Sequence, residues 1–349
     1  MPSPYPWHYT VRWPFYFYRP STWNRTGLER RPLEHTFASG QEDRPLRLLF
    51  LGDIMSLHGD RISRVDPAIS ELLSGADLVI GNCEAPVMHR PLSRETRHGF
   101  VFNMSHEYLR GIVEQLGVKP GRLLLSMANN HTFDQGEAGY LSTQERFAEL
   151  GIQPLGLWNG GVSPVVRVEV EGMAVGVVAW THWMNIDPPR EDPGVWRHTH
   201  LEGLDAEELK RRHALDLVVA FPHWEYEFQH FPSRSTRELA RRLNARNFKL
   251  IVGCHTHVVQ PMEWFEEGLC AYSLGNFCGL GVAWAVKLIS LLEVRVGTRG
   301  AHRGRVVGYR LHPFIQLHEG ERVSLVPLEK TPARKRAAWQ QRLGLVYGA

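Results

Sequence analysis

Five short aliphatic runs, each followed within a few residues by a polar cluster, constrain the fold of this chain more than any other feature. The runs occupy positions 48–51, 78–80, 123–125, 217–219 and 250–252. Buried parallel strands read as continuous apolar runs, because helices cover both faces of their sheet. Stretches with helical spacing lie between the runs, which is the pattern of βαβ units. The sequence therefore predicts an α/β protein.

The same periodicities predict the individual elements. Predicted strands lie at 46–51, 77–81, 122–127, 164–170, 173–180, 216–221, 249–253, 269–274, 287–296, 304–312 and 321–327. Predicted helices lie near 65–74, 106–117, 136–150, 205–213, 234–246 and 331–343. An α/β first half followed by a β-rich second half favours two packed sheets flanked by helices.

The polar clusters that follow the aliphatic runs indicate where the chemistry lies. In open α/β sheets, functional groups gather at the carboxyl ends of the strands. We therefore expect one sheet edge to collect seven side chains, namely Asp53, Glu84, Asn130, His131, His223, His255 and His257. So many carboxylate, amide and imidazole groups in one place need a cation to hold them together, and the sequence predicts a metal centre.

Each of these residues also has a simpler explanation. Asp53 could cap a helix, Asn130 could occupy a turn, and His223 could be a packed core histidine. His255 and His257 form a stronger signal, because alternate residues of a strand share one face. The occurrence of all of them at strand ends favours the metal centre.

The ligand types narrow the chemistry. Asp, Glu, Asn and His suit Mn, Zn or Fe, and two ions about 3.5–4 Å apart, bridged by a carboxylate, are a recurrent device for phosphoester hydrolysis. Asp53 and Glu84 are the candidate carboxylates. His131 directly follows a candidate ligand, Asn130, and is predicted to protonate a leaving group.

Bulk composition excludes some classes of function. The formal charge is only +3, from 40 basic and 37 acidic residues, so we expect no nucleic-acid partner. No apolar stretch reaches the roughly 18–20 residues of a membrane span, and no signal-peptide pattern opens the chain. We therefore expect a cytoplasmic protein, with peripheral membrane association left open and the oligomeric state unspecified.

The four cysteines show no CxxC pairing, and we expect no disulfide framework. Cys83 and Cys254 stand inside the polar clusters, so either could lie beside a metal. The simpler interpretation is that all four are small buried apolar residues.

Three segments are predicted along the chain. Residues 1–44 form an extension rich in aromatic residues, Pro and Arg, without a clear period. This extension either contacts a partner or a membrane surface or packs back on the domain, and we favour packing because exposed aromatics reduce solubility. Residues 45–330 are predicted to form the main domain, and residues 331–349 a basic tail.

Six motifs carry a resemblance to a known family. They are Gly52-Asp53-Ile54-Met55, Asn82-Cys83-Glu84, Ala128 to Gly136 with its Asn-Asn-His core, His223-Trp224 through Glu227 and Pro232, Gly253 to Gln260 with its His-Thr-His core, and Tyr272 to Phe277. Over residues 46–280 the chain resembles the CapA/PgsA family, linked to bacterial capsule and poly-γ-glutamate synthesis. That family is similar to the calcineurin-like metallophosphoesterases.

The resemblance implies a four-layer α/β/β/α sandwich that holds two divalent metal ions. It implies one metal site formed by Asp53, Glu84 and His257. It implies a second formed by Glu84, Asn130, His223 and His255. It further implies that His131 is a general acid oriented by Asp134, and that the substrate pocket is lined by Ser273, the Gly275 backbone and Asn276.

The chain departs from the family pattern at several positions. Phosphoesterases place a histidine where Met55 stands, and His58 or a water molecule is the candidate replacement. The family usually has a histidine where Cys254 stands and a proline where Thr256 stands. Many members also carry an N-terminal membrane anchor, which this sequence does not show.

Three functions follow as hypotheses. The leading one is a metal-dependent hydrolase of capsule or poly-γ-glutamate biosynthesis, in which a metal-activated hydroxide attacks a phosphoester or a polymer amide. The second is a non-catalytic accessory protein that binds an anionic polymer or assembly partners through the aromatic arm at 1–30 and the basic residues Arg334, Lys335 and Arg336. The third is a nucleotidase-like phosphoesterase of another pathway.

Overall fold

The strands account for the aliphatic runs and extend beyond them. The computed structural model describes residues 5–37, 44–56, 63–90, 101–188, 191–279, 283–319 and 322–348. Its strands are β1 (Glu34–Thr36), β2 (Leu46–Ile54), β3 (Arg64–Val65), β4 (Leu78–Cys83), β5 (Leu123–Ser126), β6 (Gln153–Leu155), β7 (Val165–Val170), β8 (Met173–Thr181), β9 (Leu217–His223), β10 (Leu250–Val252), β11 (Met262–Phe265), β12 (Gly268–Ala271), β13 (Asn276–Cys278), β14 (Leu288–Val296), β15 (Val306–Glu319) and β16 (Arg322–Pro327).

Helices lie between many of these strands, and four of the eight helices in the described residues begin at a side-chain cap. They are α1 (Trp7–Thr10), α2 (Trp13–Tyr18), α3 (Pro67–Ser74), α4 (His106–Leu116), α5 (Gly136–Glu149), α6 (Ala206–His213), α7 (Arg234–Ala245) and α8 (Ala333–Tyr347), with short 3-10 turns at His198–Leu201, Trp284–Lys287, Gly300–His302 and Leu328–Lys330. The side chains of Asp66, Ser105, Asp205 and Ser233 accept hydrogen bonds from the first turns of α3, α4, α6 and α7. Such caps satisfy backbone N–H groups that have no partner within the helix.

Two mixed sheets form the centre of the molecule. The first has the strand order β3-β16-β15-β14-β2-β4-β5-β6, with β1 paired to β15 and β13 paired to β2. The second has the order β11-β12-β10-β9-β8-β7. Within them, β2-β4-β5-β6 and β8-β9-β10-β12 are parallel blocks, and the hairpin strands at the edges are antiparallel.

The sheets pack face to face, and helices cover their outer faces. Alternate residues of β2 and β9 point into the shared core, where the rings of Phe50 and Phe221 stack with centroids 6.4 Å apart. Helices α3, α4 and α5 cover the outer face of the first sheet, and α6 and α7 cover that of the second. The predicted four-layer α/β/β/α sandwich is confirmed. No helix within the described ranges is both long enough and apolar enough to cross a bilayer.

The strands and helices predicted from periodicity are present, with ends that shift by a few residues. The elements that sequence patterns did not reveal are β1, β3, β6, β11 and β13, each two to four residues long, and the short helices α1 and α2. Segments this short contain too few residues to show a period. The β-rich second half does not build a sheet of its own, because β13 to β16 join β2 in the first sheet.

Both ends of the chain pack on the sandwich. The strand β1 pairs with β15, and Trp339 and Tyr347 of α8 lie in the core between the sheets. In the N-terminal extension Tyr9 is buried, as the favoured packing interpretation predicts. Other aromatic residues of the extension are exposed, namely Trp7, Phe15, Tyr18 and Trp23. The domain boundaries at 44 and 330 stay predictions.

Gly52 allows strand β2 to pack closely against the segment before β13, next to the residues of the candidate site. A Cβ atom on Gly52 would lie 1.8 Å from the carbonyl oxygen of Gly275. The next residue, Asp53, donates its backbone N–H to that same carbonyl at 3.1 Å. Position 52 therefore has room for glycine alone, and the close contact between β2 and the segment before β13 sets the position of Asp53.

We predict that Gly52→Ala destabilises the fold. The new methyl group collides with backbone rather than with a flexible side chain, so the free energy of unfolding should fall by about 1–3 kcal/mol. Denaturant unfolding measures this change. Gly75→Ala is the control, since its Cβ would lie 3.2 Å from the nearest backbone oxygen, and an equal loss in both variants would contradict the argument.

Candidate metal centre

The predicted cluster forms, but between two sheets rather than at one sheet edge. Asp53 and Glu84 belong to or follow strands of the first sheet, whereas His223 ends β9 of the second sheet. The edges at which the parallel strands of the two sheets end lie against each other. Asn82 Nδ2 lies 3.3 Å from His223 Nδ1 across this junction. The expectation of a single edge was wrong because aliphatic runs indicate buried strands without indicating which sheet they join.

Glu84 lies at the middle of the cluster. Its Oε1 atom is 3.3 Å from His223 Nε2 and 3.8 Å from His255 Nδ1, and its Oε2 atom is 3.9 Å from His257 Nδ1. The side chain is fully buried, and neither carboxylate oxygen has a hydrogen-bond partner among the described residues. Glu84 thus presents one oxygen to His223 and His255 and the other to His257.

Asp53 is held more firmly than Glu84. Its Oδ1 atom accepts a hydrogen bond from Asn82 Nδ2 at 2.8 Å, and its Oδ2 atom accepts one from the backbone N–H of His255 at 3.1 Å. The same Oδ2 atom lies 3.8 Å from His257 Nδ1. Asp53 is therefore a strand residue and not a helix cap.

The potential ligand atoms fall into overlapping groups whose members lie within 4.8 Å of one another. One group is Asp53, Glu84 and His257, and another is Glu84, His223 and His255. Asn130 extends the second group, since its Oδ1 lies 2.8 Å from His223 Nε2. A third group, Asp53, His223 and Cys254, includes a thiol, and Cys254 Sγ lies 3.3 Å from His223 Nδ1.

His255 and His257 reach the cluster from a loop, not from a strand. The strand β10 ends at Val252, and the two histidines have φ angles of 100° and 58°. Such left-handed conformations cost about 1–3 kcal/mol each for residues other than glycine and concentrate at functional sites. The expectation that both rings share a strand face was therefore wrong, and the loop turns both towards Glu84.

The electrostatics of the cluster call for a cation. Burial raises the pKa of the Glu84 carboxyl well above its usual value, and the charge of Asp53 raises it further. Burial also raises the pKa of Asp53 and lowers the pKa of His223, His255 and His257. Among the described residues, no Lys or Arg pairs with either carboxylate. Because buried charges are tolerated only when paired or bound to metal, these residues fit a divalent ion.

His131 lies beside this cluster with its ring held on two sides. Its Nδ1 atom donates to Asp134 Oδ2 at 2.6 Å, and the ring of Phe102 stacks on it with centroids 4.0 Å apart. The backbone N–H of Phe102 donates to the same carboxylate oxygen at 2.6 Å. Asp134 thus holds the proton on Nδ1 and leaves Nε2 as the atom that can exchange a proton.

A protein-family model matches the part of the chain that contains these residues. The family model described as bacterial capsule synthesis protein PGA_cap matches residues 47–279, about two thirds of the chain. The chain belongs to this family. The matched range holds each predicted metal ligand, so the resemblance to the CapA/PgsA family is confirmed.

Two curated relatives carry related names. The capsule biosynthesis protein CapA of Bacillus anthracis is 27% identical over 273 residues, which are 74% of this chain and 64% of that protein. The PGA biosynthesis protein CapA of Bacillus subtilis (strain 168) is 25% identical over 247 residues, 67% of this chain and 63% of that protein. The chain therefore spans less than two thirds of the length of either relative.

Solved structures with related architecture include phosphoester-acting proteins. A phosphatase of Mycoplasma pneumoniae has a TM-score of 0.49 at 14% identity, covering 78% of this chain and 94% of that one. A 5'-nucleotidase precursor of Thermus thermophilus has a TM-score of 0.44 at 15% identity, covering 86% and 59%. Both scores lie below 0.5, too low for the likeness to bear on the activity of this PGA_cap member.

The three residues predicted to line a substrate pocket are buried behind the metal ligands. Asn276 Oδ1 lies 2.8 Å from His257 Nδ1, and Ser273 Oγ accepts the backbone N–H of Gly275 at 3.2 Å. The carbonyl of Gly275 receives the backbone N–H of Asp53. These contacts support the ligands, and a role in substrate binding stays a prediction.

Sequence reasoning missed several residues that complete the site. Asn82 bonds Asp53, and Asn185 places its amide 3.5 Å from His131 Nε2. The Tyr5 hydroxyl lies 2.8 Å from His255 Nε2 and donates to Glu227. Asn82 and Glu227 stood inside the recognised motifs without an assigned role, whereas no sequence signal singled out Asn185 or Tyr5.

Met55 is the position at which the sequence departs from the expected metal-binding pattern. Met55 is buried just after β2 and donates its backbone N–H to Cys278 O at 3.0 Å. The candidate replacement, His58, lies outside the described residues. Cys254 lies within the cluster, as the sequence allowed. All four cysteines are buried and free.

We predict that Glu84→Gln loses most of its bound divalent metal. The amide keeps the size of the side chain but removes its negative charge. It also removes one of the two acceptor oxygens that lie between His257 and the pair His223 and His255. Elemental analysis after reconstitution with Mn, Zn or Fe measures the loss. Glu293→Gln is the control, because Glu293 is also largely buried but pairs with Arg47 and His312.

Folding and metal binding can be separated in this experiment. Without metal, Glu84→Gln should be at least as stable as the original protein, because it removes a buried carboxylate that has no partner. Retention of the metal by Glu84→Gln would contradict the central position of this residue.

Proposed function

We propose that this protein is a metal-dependent hydrolase that acts in the biosynthesis of a capsule or poly-γ-glutamate polymer. It cleaves a phosphoester, or an amide of the polymer, at the junction between the two sheets. The pathway is proposed from membership in the PGA_cap family and from the names of the two relatives. The reaction is proposed from the chemistry of the site.

The observation that carries the proposal is the Glu84 carboxylate. It is buried between His257 on one side and His223 and His255 on the other, and neither oxygen has a hydrogen bond to another described residue. A carboxylate shared between two cation sites is the arrangement that two-metal hydrolases use. We infer two divalent ions, one held by Asp53, Glu84 and His257, the other by Glu84, Asn130, His223 and His255. Bound there, such ions lower the pKa of water and polarise a phosphoryl or carbonyl oxygen.

His131 supplies the proton that the reaction needs. Its Nδ1 proton is committed to Asp134, so a protonated ring can donate only from Nε2. Donation to the leaving oxygen or nitrogen prevents a strongly basic group from departing as an anion. Phe102 and Asp134 keep the ring in one plane, and the Asn185 amide nitrogen lies 3.4 Å from its Nδ1 atom and 3.5 Å from its Nε2 atom.

We predict that the effect of His131→Ala depends on the leaving group. General acid catalysis is worth about 10²–10⁴-fold, and an alkyl phosphodiester needs it, whereas a p-nitrophenyl phosphodiester departs without protonation. The variant should therefore lose about 10²–10⁴-fold in kcat on the alkyl ester and much less on the activated ester. Steady-state kinetics on both esters, with a γ-glutamyl peptide in parallel, measure this.

The controls separate the competing hypotheses. His131→Ala should keep its metal, while Asp53→Ala should lose metal and activity together. If the metal-loaded protein turns over neither esters nor peptide, the accessory hypothesis replaces catalysis. If reconstitution leaves the protein without metal, the metal centre itself is rejected.

A further inference from the structure

The N-terminal segment packs directly over the metal centre. Tyr5, Tyr9 and Trp13 lie outside the range that matches the PGA_cap family, which begins at residue 47. Even so, the ring of Tyr5 packs edge-on against Trp183 at 5.1 Å, and the ring of Tyr9 stacks on Tyr226 at 4.7 Å. The segment therefore adds to the site groups that the family motifs do not contain.

Glu227 anchors this segment through three acceptor atoms. Its Oε1 atom accepts the hydroxyl proton of Tyr5 at 2.8 Å, and its Oε2 atom accepts the indole N–H of Trp13. Its backbone carbonyl accepts the hydroxyl of Tyr9. The side chain is buried, so these donors replace the water that would otherwise solvate the carboxylate.

Tyr5 also reaches a predicted metal ligand. Its hydroxyl oxygen lies 2.8 Å from His255 Nε2, a contact between residues 250 positions apart. Because the Tyr5 proton is donated to Glu227, the Tyr5 oxygen can only accept from His255. The Nε2 atom of His255 therefore carries the ring proton.

The opposite nitrogen of His255 is then free to bind a cation. Its Nδ1 atom is buried, has no hydrogen-bond partner in the described part of the chain, and lies 3.8 Å from Glu84 Oε1. With the proton on Nε2, this Nδ1 carries a lone pair directed into the cluster. Metal-bound histidines generally donate their other ring N–H to a fixed acceptor, which sets the tautomer and the orientation of the ring.

We propose that Tyr5 and Glu227 are positioning residues for the metal centre, acting as a hydrogen-bonded chain from Glu227 through Tyr5 to His255. The chain fixes His255 in the tautomer whose Nδ1 binds metal. This inference rests on the proposed metal centre and goes beyond it, because it makes metal affinity depend on a segment outside the family match.

We predict that Tyr5→Phe weakens metal binding about 10–100-fold, the usual effect of removing such a supporting group. Competition with a calibrated chelator measures the affinity, and the absorption spectrum of the Co²⁺-substituted protein reports the geometry around the ligands. Tyr9→Phe is the matched control. It also removes a hydroxyl that holds the segment to Glu227, but that hydroxyl does not contact a ligand.

A double-mutant cycle tests whether the two residues act as one unit. Glu227→Gln replaces one acceptor oxygen by a donor and should weaken metal binding by a similar factor. The double variant Tyr5→Phe/Glu227→Gln should be weaker than either single variant by no more than about two-fold, since both changes break the same chain. Melting temperatures of the metal-free variants show whether any of them has lost its fold.

The outcomes distinguish this inference from the proposed function. If the original protein binds no metal, the proposed function fails and the inference fails with it. If the original protein binds metal and Tyr5→Phe binds it equally well, only the inference is overturned. If Tyr9→Phe weakens binding as much as Tyr5→Phe does, the segment acts as a cover, and the positioning role of Tyr5 is overturned.

Discussion

The structure depends on one buried carboxylate, that of Glu84. An ionised carboxylate in an apolar interior costs several kcal/mol after relaxation unless an opposite charge or hydrogen bonds compensate for it. Glu84 has neither within the described residues. Around it stand neutral imidazoles whose pKa values burial lowers, and these offer lone pairs rather than positive charge. The arrangement is unfavourable by itself and favourable around divalent ions, so the two sheets are best regarded as a frame that holds ligands for a cation.

Close packing of the backbone brings the candidate ligand residues together. A Cβ on Gly253 would lie 2.1 Å from Trp224 Nε1, just as one on Gly52 would collide with Gly275. These contacts bring the loop after β10 towards β9 and the segment before β13 towards β2. The left-handed backbone at His255 and His257 adds local strain. The extensive apolar core between the sheets offsets this strain, which explains why it can persist at the one place where ligands must converge.

The N-terminal segment shows how a member of a broad family can modify a shared centre. Its inner side supplies hydrogen bonds to Glu227 and His255, while Trp7 and Phe15 on its outer side remain exposed to solvent, at 79% and 61%. The predicted ligands are themselves buried to within a few per cent. The segment is hydrogen-bonded to the candidate metal centre, although it lies outside the range that matches the family.

The sequence alone determined an α/β protein with two packed sheets flanked by helices, and most of its strands and helices, because burial and periodicity leave a local record in the order of residues. Through its family resemblance the sequence also implied the α/β/β/α order of layers and the candidate metal ligands. It also indicated that Asp53, Glu84 and His257 act together with His223 and His255, through motifs that recur in a family. Only the tertiary structure decided which sheet each strand joins, that His255 and His257 stand on a strained loop, and that Asn276 supports His257. It alone brought Tyr5 to His255, since a contact across 250 positions is created by packing and leaves no trace in local sequence.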